Sequence, residues 1–413
     1  MPAKSSKSKK SSSKESTAKE NMFKRLNDKL STVGAIQPFE QSVVAKPRTW
    51  LLSDMASLNW VLGHGIPFGC LWELCGAESA GKSTLAYSLA ASLQKSHGAL
   101  VIPYAVEALD DSMFSRTGLD PAYMQLPSDE SLENIDSITT NMMLILQQIE
   151  EMNEEGSYDA EYPLPVIMIW DSIAATAASK AVDVSNNSEE KASIIKEQMG
   201  ATANQLTVAL KKLLPMFSKT NTLALFLNQM RVTIDNNSWG GPKEHSGGGR
   251  ALKHACSIRS KVSYANPYKE FNSGKRDIVR GGQTIGTMVK LDMLKNKLAA
   301  PFKTTGFVNM FQDGIDLYAS TVLHALYDLS EAQVLPPVVR GRVDYNGKKL
   351  YIPDLVNIFR EDQVAWDDLK ERIRQAQIDI DANVTPDDYA AMQRRSDIAE
   401  HMETSGVPEE EED

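Results

Sequence analysis

Cysteine, histidine and long apolar runs are scarce in this chain of 413 residues, and each shortage excludes a class of protein. The three cysteines, Cys70, Cys75 and Cys256, follow neither a zinc-ligand spacing nor a disulfide framework. We therefore expect buried apolar cysteine side chains in a reducing compartment. No stretch approaches the roughly 18 apolar residues that a membrane span requires. An apolar secretory segment is also missing near the start, which predicts a cytoplasmic protein without a membrane partner.

A net positive charge is missing as well, because 44 basic residues face 54 acidic ones and leave a net charge of −10. The chain therefore has no overall positive field of the kind that would indicate a nucleic-acid-binding protein. The charge is nevertheless unevenly distributed: residues 1–20 carry six lysines against two glutamates, whereas residues 409–413 are all acidic. Such ends are typical of solvated segments. Two interpretations stay open: simple solubility, or an arm that contacts an anionic polymer with a tail that competes for the same basic surface.

Composition and periodicity divide the chain into five parts. Apolar residues within 22–30 have helical spacing, and this short amphipathic helix either docks a neighbouring subunit or packs on its own domain. From residue 336 the composition turns polar and charged. The predicted parts are a disordered basic arm (1–20), an N-terminal oligomerisation segment (21–48), a large core (49–335), a small C-terminal domain (336–400) and an acidic tail (401–413).

The core alternates buried strands with helices. VIMIW at 166–170 and LALFL at 223–227 are apolar throughout, as expected of strands that are covered on both faces. Further strands are predicted at 71–75 and 100–106, and helices at 84–94, 129–152, 200–214 and 366–380. This order predicts an α/β fold with a mostly parallel central sheet and helices on both faces.

The octapeptide GAESAGKS at residues 76–83 satisfies the phosphate-binding pattern G-x-x-x-x-G-K-[ST] in full. It follows a predicted strand and opens a predicted helix, so its backbone N–H groups and the helix N-terminus are available to phosphates. Lys82 is expected to reach the β- and γ-phosphates of ATP, and the Ser83 hydroxyl to bind Mg²⁺. The predicted nucleotide-binding residues are Gly76, Glu78, Ser79, Ala80, Gly81, Lys82, Ser83 and Thr84.

Two polar residues at strand ends complete this predicted site. Asp171 directly follows the apolar strand at 166–170 and is a natural acidic ligand for the Mg²⁺. A cap for the helix that follows is the alternative role of this carboxylate. Gln229 comes just after the apolar strand at 223–227, where its amide is placed to sense the γ-phosphate.

A glycine-rich stretch follows this strand. Residues 232–250 hold five glycines and one proline, a composition that predicts neither helix nor strand. A loop of this length is either functional or a mobile surface segment, and both interpretations stay open. Trp239, Lys243 and Arg250 would give such a loop a stacking surface and positive charge for single-stranded nucleic acid.

Six stretches together resemble the bacterial RecA recombinase family, including its phage-borne members. They occur in the family's order, within about residues 49–319: GAESAGKSTL at 76–85, EALD at 107–110, WDSIAA at 170–175, NTLALFLNQMR at 221–231, GGRALK at 248–253 and KNKLAAPF at 295–302. The last two are specific to this family among phosphate-loop proteins. The resemblance implies a RecA-type P-loop core with a short N-terminal helix or arm and a small C-terminal α/β domain.

The resemblance also implies ATP-dependent filament assembly on single-stranded DNA, then pairing and strand exchange with a homologous duplex in recombination and repair. Lys295 and Lys297 match a basic pair that reaches the ATP of the adjacent subunit, and Asp110 matches a position that contacts adenine. Residues 182–198 take the place of the family's other DNA loop. The predicted DNA-binding residues are Arg231, Ile234, Trp239, Lys243, Gly248, Gly249 and Arg250.

The catalytic glutamate is where this chain departs from the family. Val106 stands at the family's position and Glu107 one residue later, and one step along a strand reverses the direction of a side chain. Either a local irregularity, for which Pro103 gives a reason, returns Glu107 to the site, or the general base is missing. The predicted catalytic residues are Lys82, Glu107, Gln229, Lys295 and Lys297.

Two functions from different classes follow. The first is a DNA-dependent ATPase that catalyses recombination. The alternative is a structural, ATP-binding filament that coats DNA with weak or no hydrolysis, and the order of Val106 and Glu107 separates the two. A ring-forming helicase on the same core fits less well, because KNKLAAPF and GGRALK follow the recombinase pattern.

Overall fold

The structure, a computed structural model, describes residues 48–63, 65–106, 111–156, 164–177, 188–233, 243–268 and 271–382. Two units are distinguished, Met1–Arg48 and Thr49–Asp413. Only Arg48 of the first unit is described, so the fold is that of the second. The predicted arm (1–20), nearly all of the oligomerisation segment (21–48) and the acidic tail (401–413) lie outside the described residues.

The described residues form nine α-helices and fourteen β-strands. The helices are α1 (Ala56–Leu62), α2 (Lys82–His97), α3 (Asp111–Thr117), α4 (Ile135–Glu154), α5 (Ser188–Lys219), α6 (Gly249–Ala255), α7 (Leu317–Leu323), α8 (Ile352–Glu361) and α9 (Gln363–Ala382). The strands are β1 (Trp50–Leu51), β2 (Ile66–Pro67), β3 (Cys70–Gly76), β4 (Leu100–Ala105), β5 (Val166–Asp171), β6 (Thr222–Thr233), β7 (Lys243–Ser246), β8 (Ile258–Ser263), β9 (Asp277–Arg280), β10 (Gln283–Asn296), β11 (Thr304–Met310), β12 (Gly314–Ile315), β13 (Arg342–Tyr345) and β14 (Lys348–Tyr351).

Ten of these strands form one sheet, in which five neighbouring strands run parallel. The order along the sheet is β12-β11-β10-β8-β3-β6-β5-β4, with β7 paired to β6 and β9 to β10. Strands β8, β3, β6, β5 and β4 pair in parallel, whereas β10, β11 and β12 add antiparallel strands beyond β8. The predicted mostly parallel sheet, flanked by helices, is confirmed.

Both faces of the parallel strands are covered, which explains the continuous apolar runs in the sequence. In β5, Ile167 and Ile169 belong to one buried cluster, whereas Met168 and Trp170 belong to another. Side chains alternate between the faces of a strand, so a strand that is covered on both faces must be apolar throughout. Helices α1 and α2 contribute to the first cluster, and α4, α5 and α6 to the second. The three cysteines are free and buried, as predicted.

The four helices predicted between residues 84 and 380 are present, with different ends, whereas the helix predicted within 22–30 lies outside the described residues. Helix α5 covers Ser188–Lys219 rather than 200–214, so part of the stretch 182–198 that was expected to replace a DNA loop is helical. The helix predicted at 129–152 is divided, because Asn134 takes an extended conformation and accepts a hydrogen bond from the Ser137 N–H at 3.0 Å. This Asn cap starts α4 and separates it from a preceding 3₁₀ turn.

The prediction that residues 232–250 form neither helix nor strand is wrong for the described part of that stretch. Strand β6 continues to Thr233 and pairs antiparallel with β7, from Met230 opposite Ser246 to Thr233 opposite Lys243. Helix α6 then begins at Gly249. Composition misled here because three of the five glycines, Gly247, Gly248 and Gly249, serve the turn into α6 rather than a continuous loop, while residues 234–242 lie outside the described residues.

Strand β4 is regular, so the irregularity predicted from Pro103 is absent from its described residues. β4 pairs with β5 without a register shift. The Leu100 and Val106 N–H groups both donate to the β5 side, to the carbonyls of Pro165 and Asp171. Successive residues point their N–H groups to opposite sides of a strand, so Pro103 faces away from β5. Its missing donor therefore falls on the outer edge of the sheet, where proline is tolerated.

A third apolar cluster joins the C-terminal helices to the antiparallel part of the sheet. It includes Met288 and Val308 from β10 and β11, Leu323 from α7, and Phe359 and Leu369 from α8 and α9. The predicted domain boundary between residues 335 and 336 stays a prediction. Among the helices of the described ranges, none combines the length and apolar character needed to cross a membrane.

A buried hydrogen-bond cluster ties this third region together. Asp328 Oδ2 accepts hydrogen bonds from Thr305 Oγ1 at 2.6 Å and the Tyr268 hydroxyl at 2.9 Å, and it bonds His324 Nδ1 at 2.8 Å. Gln377 of α9 bonds the other imidazole nitrogen at 3.0 Å. Burial and, second, the Asp328 charge hold the pKa of Tyr268 well above its usual value. One carboxylate therefore serves three buried groups from different elements.

We expect Asp328→Ala to destabilise the protein by roughly 3 kcal/mol or more, because three buried polar groups lose their acceptor. The measurement is the midpoint of urea unfolding, followed by circular dichroism. Asp367→Ala, which removes an exposed carboxylate from α9, is the matched control and should leave the midpoint almost unchanged. An equal shift for both variants would contradict a special role for the buried cluster.

Candidate nucleotide-binding site

The phosphate loop begins where β3 ends, and glycine is required at both ends of it. Gly76 lies so close to β8 that an added Cβ would stand 2.3 Å from the Val262 carbonyl oxygen. Gly81 has a φ of +91°, which disfavours any side chain. Ser79, between them, also has a positive φ, of 57°. Gly76 is thus required because the loop backbone passes close to β8, and Gly81 because the turn into α2 is left-handed.

Lys82 opens α2, and its side chain folds back over the loop. The residue is 8% exposed. Its Nζ donates to the carbonyl oxygens of Ala77 at 2.7 Å and Gly76 at 3.3 Å. Ser83 and Thr84 follow in the first helical turn and are partly exposed. The ammonium group is therefore held against the loop backbone, next to the N-terminus of the helix.

Asp171 ends β5, and its charge reaches α2. Burial raises the pKa of Tyr87, and the charge of Asp171 raises it further. Tyr87 lies four residues after Ser83, on the same face of α2. Asp171 therefore lies within electrostatic reach of the helix that carries Ser83. The residue at the cap position of the following turn, Ile173–Ala175, is Ser172 rather than Asp171.

Strand β6 places Gln229 beside the phosphate loop. Gln229 and Gly76 are register partners in the parallel pairing of β6 with β3, which puts their backbones about 4.8 Å apart. Leu227 and Asn228 before it are fully buried, whereas Gln229 is partly exposed. The first accessible polar side chain of this strand therefore stands at the start of the loop.

These residues fit a nucleoside triphosphate with Mg²⁺. No acidic residue occupies the first turn of α2 and no side chain caps it, so its N-terminal partial charge is left for an anion. Within the described residues, no group of three or more His, Cys, Asp or Glu side chains could hold a metal. A Mg²⁺ here would use Ser83 and Asp171 together with phosphate oxygens, as this ion commonly does.

Glu107 and Asp110 lie outside the described residues, but the chain before them is described. The Val106 N–H donates to the Asp171 carbonyl oxygen at 2.9 Å, which continues the regular pattern of β4. The Val106 side chain packs against the second apolar cluster. Val106 therefore lies on the face opposite to α2, and a strand that continued regularly would turn the next residue toward the α2 face.

The strand that carries Gln229 continues into an antiparallel pair, here called the β6–β7 arm (residues 230–246). The backbone of Arg231 pairs with His245 and that of Lys243 with Thr233. The predicted DNA-binding residues Ile234 and Trp239 belong to the stretch outside the described residues. The strand that carries Gln229 thus continues directly into the arm.

Gly248 and Gly249 have a structural reason to be glycine. Their φ angles are +83° and +71°. A Cβ on Gly248 would lie 3.1 Å from Leu206 Cδ2, and one on Gly249 would lie 3.3 Å from Ala203 Cβ. The pair therefore lets α6 start close against α5. Arg250, the next residue, is exposed.

The two predicted lysines of KNK contact the end of α6. Lys295 Nζ donates to the Lys253 carbonyl oxygen at 2.6 Å and lies 3.5 Å from that of His254. Lys297 Nζ also lies 3.5 Å from the His254 carbonyl oxygen. Carbonyls at a helix C-terminus lack partners within the helix and carry partial negative charge, so they bind cations. Both lysines are therefore held by the helix that follows the β6–β7 arm.

The backbone register separates this lysine pair from the phosphate loop of the same chain. Lys295 pairs with Arg259 of β8, and Arg259 pairs with Glu73 of β3. Glu73 precedes Gly76 by three strand residues, or about 10 Å. The structure thus brings the loop, Asp171 and Gln229 to one edge of the sheet and places the lysines away from that edge.

Sequence reasoning missed a buried polar cluster behind the site, formed by Glu73, Asn228 and Arg259. Glu73 and Arg259 form an ion pair at 2.6 Å, and Asn228 donates to Glu73 at 2.8 Å. One signal was present: a single carboxylate stands inside the apolar strand sequence CLWELCG. A buried charge requires a partner, so this glutamate predicts a basic residue on a neighbouring strand.

Comparisons with known proteins agree with this geometry. Residues 28–316 match the family described as RecA N-terminal domain. The chain is 32% identical over 260 residues to Protein RecA of Chloroherpeton thalassium, and this aligned region covers 63% of this chain and 62% of the relative. It is 31% identical over 251 residues to Protein RecA of Wolinella succinogenes, which covers 61% of each. Protein RecA of Sulfurovum sp. is 32% identical over 271 residues, 65% of this chain and 68% of the relative.

The aligned region spans less than two thirds of the length of the first two relatives. The family match, in contrast, covers well over half of this chain and includes the phosphate loop, Asp171, Gln229 and both lysines of KNK. The chain therefore belongs to the RecA family.

Proposed function

We propose that this protein is an ATP-dependent recombinase that assembles on single-stranded DNA as a filament and exchanges strands with a homologous duplex. The observation that carries the proposal is the course of β6. Gln229 stands beside Gly76 of the phosphate loop, and the same strand continues into the β6–β7 arm. The relatives named Protein RecA support the same activity. We place this activity in the cytoplasm.

At the nucleotide site, this chain's residues bind and orient ATP. ATP supplies a γ-phosphate whose transfer to water releases the free energy that the protein uses. Lys82 would bind the β- and γ-phosphates, while Ser83 and Asp171 would hold Mg²⁺. Gln229 would respond to the presence of the γ-phosphate. The proposed nucleotide-binding residues are Gly76, Glu78, Ser79, Ala80, Gly81, Lys82, Ser83, Thr84 and Asp110.

The β6–β7 arm is the proposed DNA-binding element. Its strands pair through four residues on each side, and exposed Arg250 lies just beyond it. Arginine, lysine and tryptophan side chains bind single strands through charge and stacking. The proposed DNA-binding residues are Arg231, Ile234, Trp239, Lys243, Gly248, Gly249 and Arg250.

Lys295 and Lys297 are proposed to act on the ATP of the adjacent subunit. Their backbones lie away from the phosphate loop of their own chain, and their side chains rest on the carbonyls that end α6. A head-to-tail contact between subunits would bring the two lysines to the nucleotide site of the neighbour. When such head-to-tail contacts do not close into a ring, they produce helical filaments. Hydrolysis would then require assembly.

Glu107 is the proposed general base. It would take a proton from the attacking water, a role that valine at position 106 cannot fill. Val106 packs against the second apolar cluster, so a strand that continued regularly would turn Glu107 to the α2 face, and this alternation supports the proposed role.

Lys82→Ala should abolish ATP hydrolysis and ATP-dependent strand exchange, with a fall in kcat of at least about 100-fold, because phosphate charge loses its cation. Phosphate release with and without single-stranded DNA measures this. Lys95→Ala, which changes an exposed lysine in the last turn of the same helix, is the control and should keep wild-type activity. Strand exchange that survives in the Lys82 variant would contradict the mechanism.

Glu107→Gln should lower kcat by about 10²–10⁴-fold, because the amide cannot accept the proton, while the affinity for ATP stays unchanged. Single-turnover hydrolysis and binding of a fluorescent ATP analogue measure the two quantities separately. Val106→Ala serves as the neighbouring control. Unchanged hydrolysis in the Glu107 variant would show that the base lies elsewhere.

Mixing two inactive variants tests whether the lysines act across subunits. Lys82→Ala lacks a working phosphate loop, and the double variant Lys295→Ala/Lys297→Ala lacks the basic pair. If the site forms at a head-to-tail interface, an equal mixture should recover about a quarter of wild-type hydrolysis on DNA. No recovery in filaments that electron microscopy shows to contain both variants would place the lysines in their own subunit's site.

A further inference from the structure

Glu73 and Arg259 form an ion pair that is almost completely removed from solvent. Arg259 Nε donates to Glu73 Oε2 at 2.6 Å, and the side chains are 4% and 0% exposed. The two residues face each other across neighbouring parallel strands, β8 and β3. The proposed mechanism uses neither of them.

Asn228 connects this ion pair to the base of the β6–β7 arm. Its Nδ2 donates to Glu73 Oε1 at 2.8 Å and to the Gly247 carbonyl oxygen at 2.9 Å. Asn228 Oδ1 is buried and accepts no hydrogen bond from the described residues. Because both amide hydrogens are used, a shift of residue 247 would strain or break the bond to Glu73.

The three strands place this cluster between the two proposed sites. Glu73 pairs with Phe226 in the β3–β6 register, so Asn228, two residues further along, lies on the same face of the sheet. Asn228 directly precedes Gln229, and Glu73 lies three residues before Gly76. Gly247 directly follows the last residue of β7. Contacts through one amide thus link the end of the arm to the strand that carries the phosphate loop.

A buried ion pair contributes little to stability compared with apolar residues of similar size, because desolvation offsets most of the attraction. Removal of one partner alone is costly, since a charge is left buried and unpaired. The role of the cluster is therefore better explained if it fixes the positions of three strands relative to one another than if it contributes folding free energy.

We propose that Glu73 is a positioning residue that couples the DNA arm to the nucleotide site through Asn228. This inference rests on the proposed function. Movement at the base of the arm on DNA binding would shift Asn228, and with it the adjacent Gln229, relative to the loop that begins at Gly76. Coupling of this kind acts in both directions, so nucleotide would change the affinity for DNA by the factor by which DNA changes the affinity for nucleotide.

Two variants separate this role from a structural one. Glu73→Gln keeps an acceptor for the Asn228 amide but leaves the charge of Arg259 unpaired. The double variant Glu73→Leu/Arg259→Met removes both charges, and with them the acceptor. We expect Glu73→Gln to unfold at a lower temperature than the double variant, yet to retain more of the coupling between DNA and nucleotide. The more stable of the two variants should therefore be the less coupled one.

Two readouts measure the coupling in the full-length chain. One is the ratio of kcat for ATP hydrolysis with and without an oligo-dT single strand; the other is the oligo-dT Kd with and without a non-hydrolysable ATP analogue. In the double variant we expect the stimulation of kcat by DNA and the tightening of DNA binding by the analogue each to fall by about 10-fold, while the Kd for the analogue without DNA stays within about 3-fold of wild type.

Ser260→Ala is the matched control. Ser260 Oγ accepts a buried hydrogen bond from Trp72 Nε1 at 2.7 Å, between the same strands β3 and β8, and that bond does not involve Asn228. This variant should lose stability and keep both coupling ratios.

The outcomes distinguish the inference from the function on which it rests. A wild type whose hydrolysis is indifferent to DNA would overturn the proposed function, and the inference with it. If DNA stimulates ATP hydrolysis by the wild type and by the double variant equally, the inference alone is overturned. Coupling that follows stability across all variants, Ser260→Ala included, would also overturn it. Opposite rank orders, with the control fully coupled, would support it.

Discussion

Backbone hydrogen bonds between β3 and β6 fix the register in which Gly76 lies beside Gln229. Side chains alternate along a strand, so a slip by one residue would turn the Gln229 amide to the opposite face. The same parallel arrangement brings the carboxyl ends of β4 and β5 to this edge, with Asp171 at the last position of β5. Because apolar clusters cover both faces of these strands, the sheet can offer accessible polar groups mainly where strands end.

One polar cluster lies within the buried part of the sheet, between the two proposed sites. Glu73 and Arg259 are buried within the sheet, and Asn228 extends their contacts to Gly247. The C-terminal region has a comparable arrangement, in which Asp328 serves three buried partners. In both places a carboxylate that cannot reach water is satisfied by groups from several elements, so each element is held in one position relative to the others.

The parts of the fold that were predictable are those that periodicity and turn chemistry determine. Apolar runs located β5 and the first half of β6, and the glycines and lysine of 76–83 located the turn into α2. The β6–β7 arm was missed, because the glycines at 247–249 suggested a loop. Glu73 predicts a basic partner, but which residue this is could not be predicted, because Arg259 lies 186 positions away and meets it only through the sheet.

The two strands at the ends of the main strand order, β4 and β12, are poor templates for another strand. At one edge, Pro103 removes an outward N–H from β4, and the Gln125 N–H already occupies the neighbouring Val101 carbonyl at 3.0 Å. At the other edge, β12 is only two residues long. Exposed edge hydrogen bonds invite uncontrolled aggregation, which short or proline-containing edges suppress. The proposed filament would concentrate chains side by side, and this protection would keep them from joining through their sheets as β-aggregates that cannot disassemble.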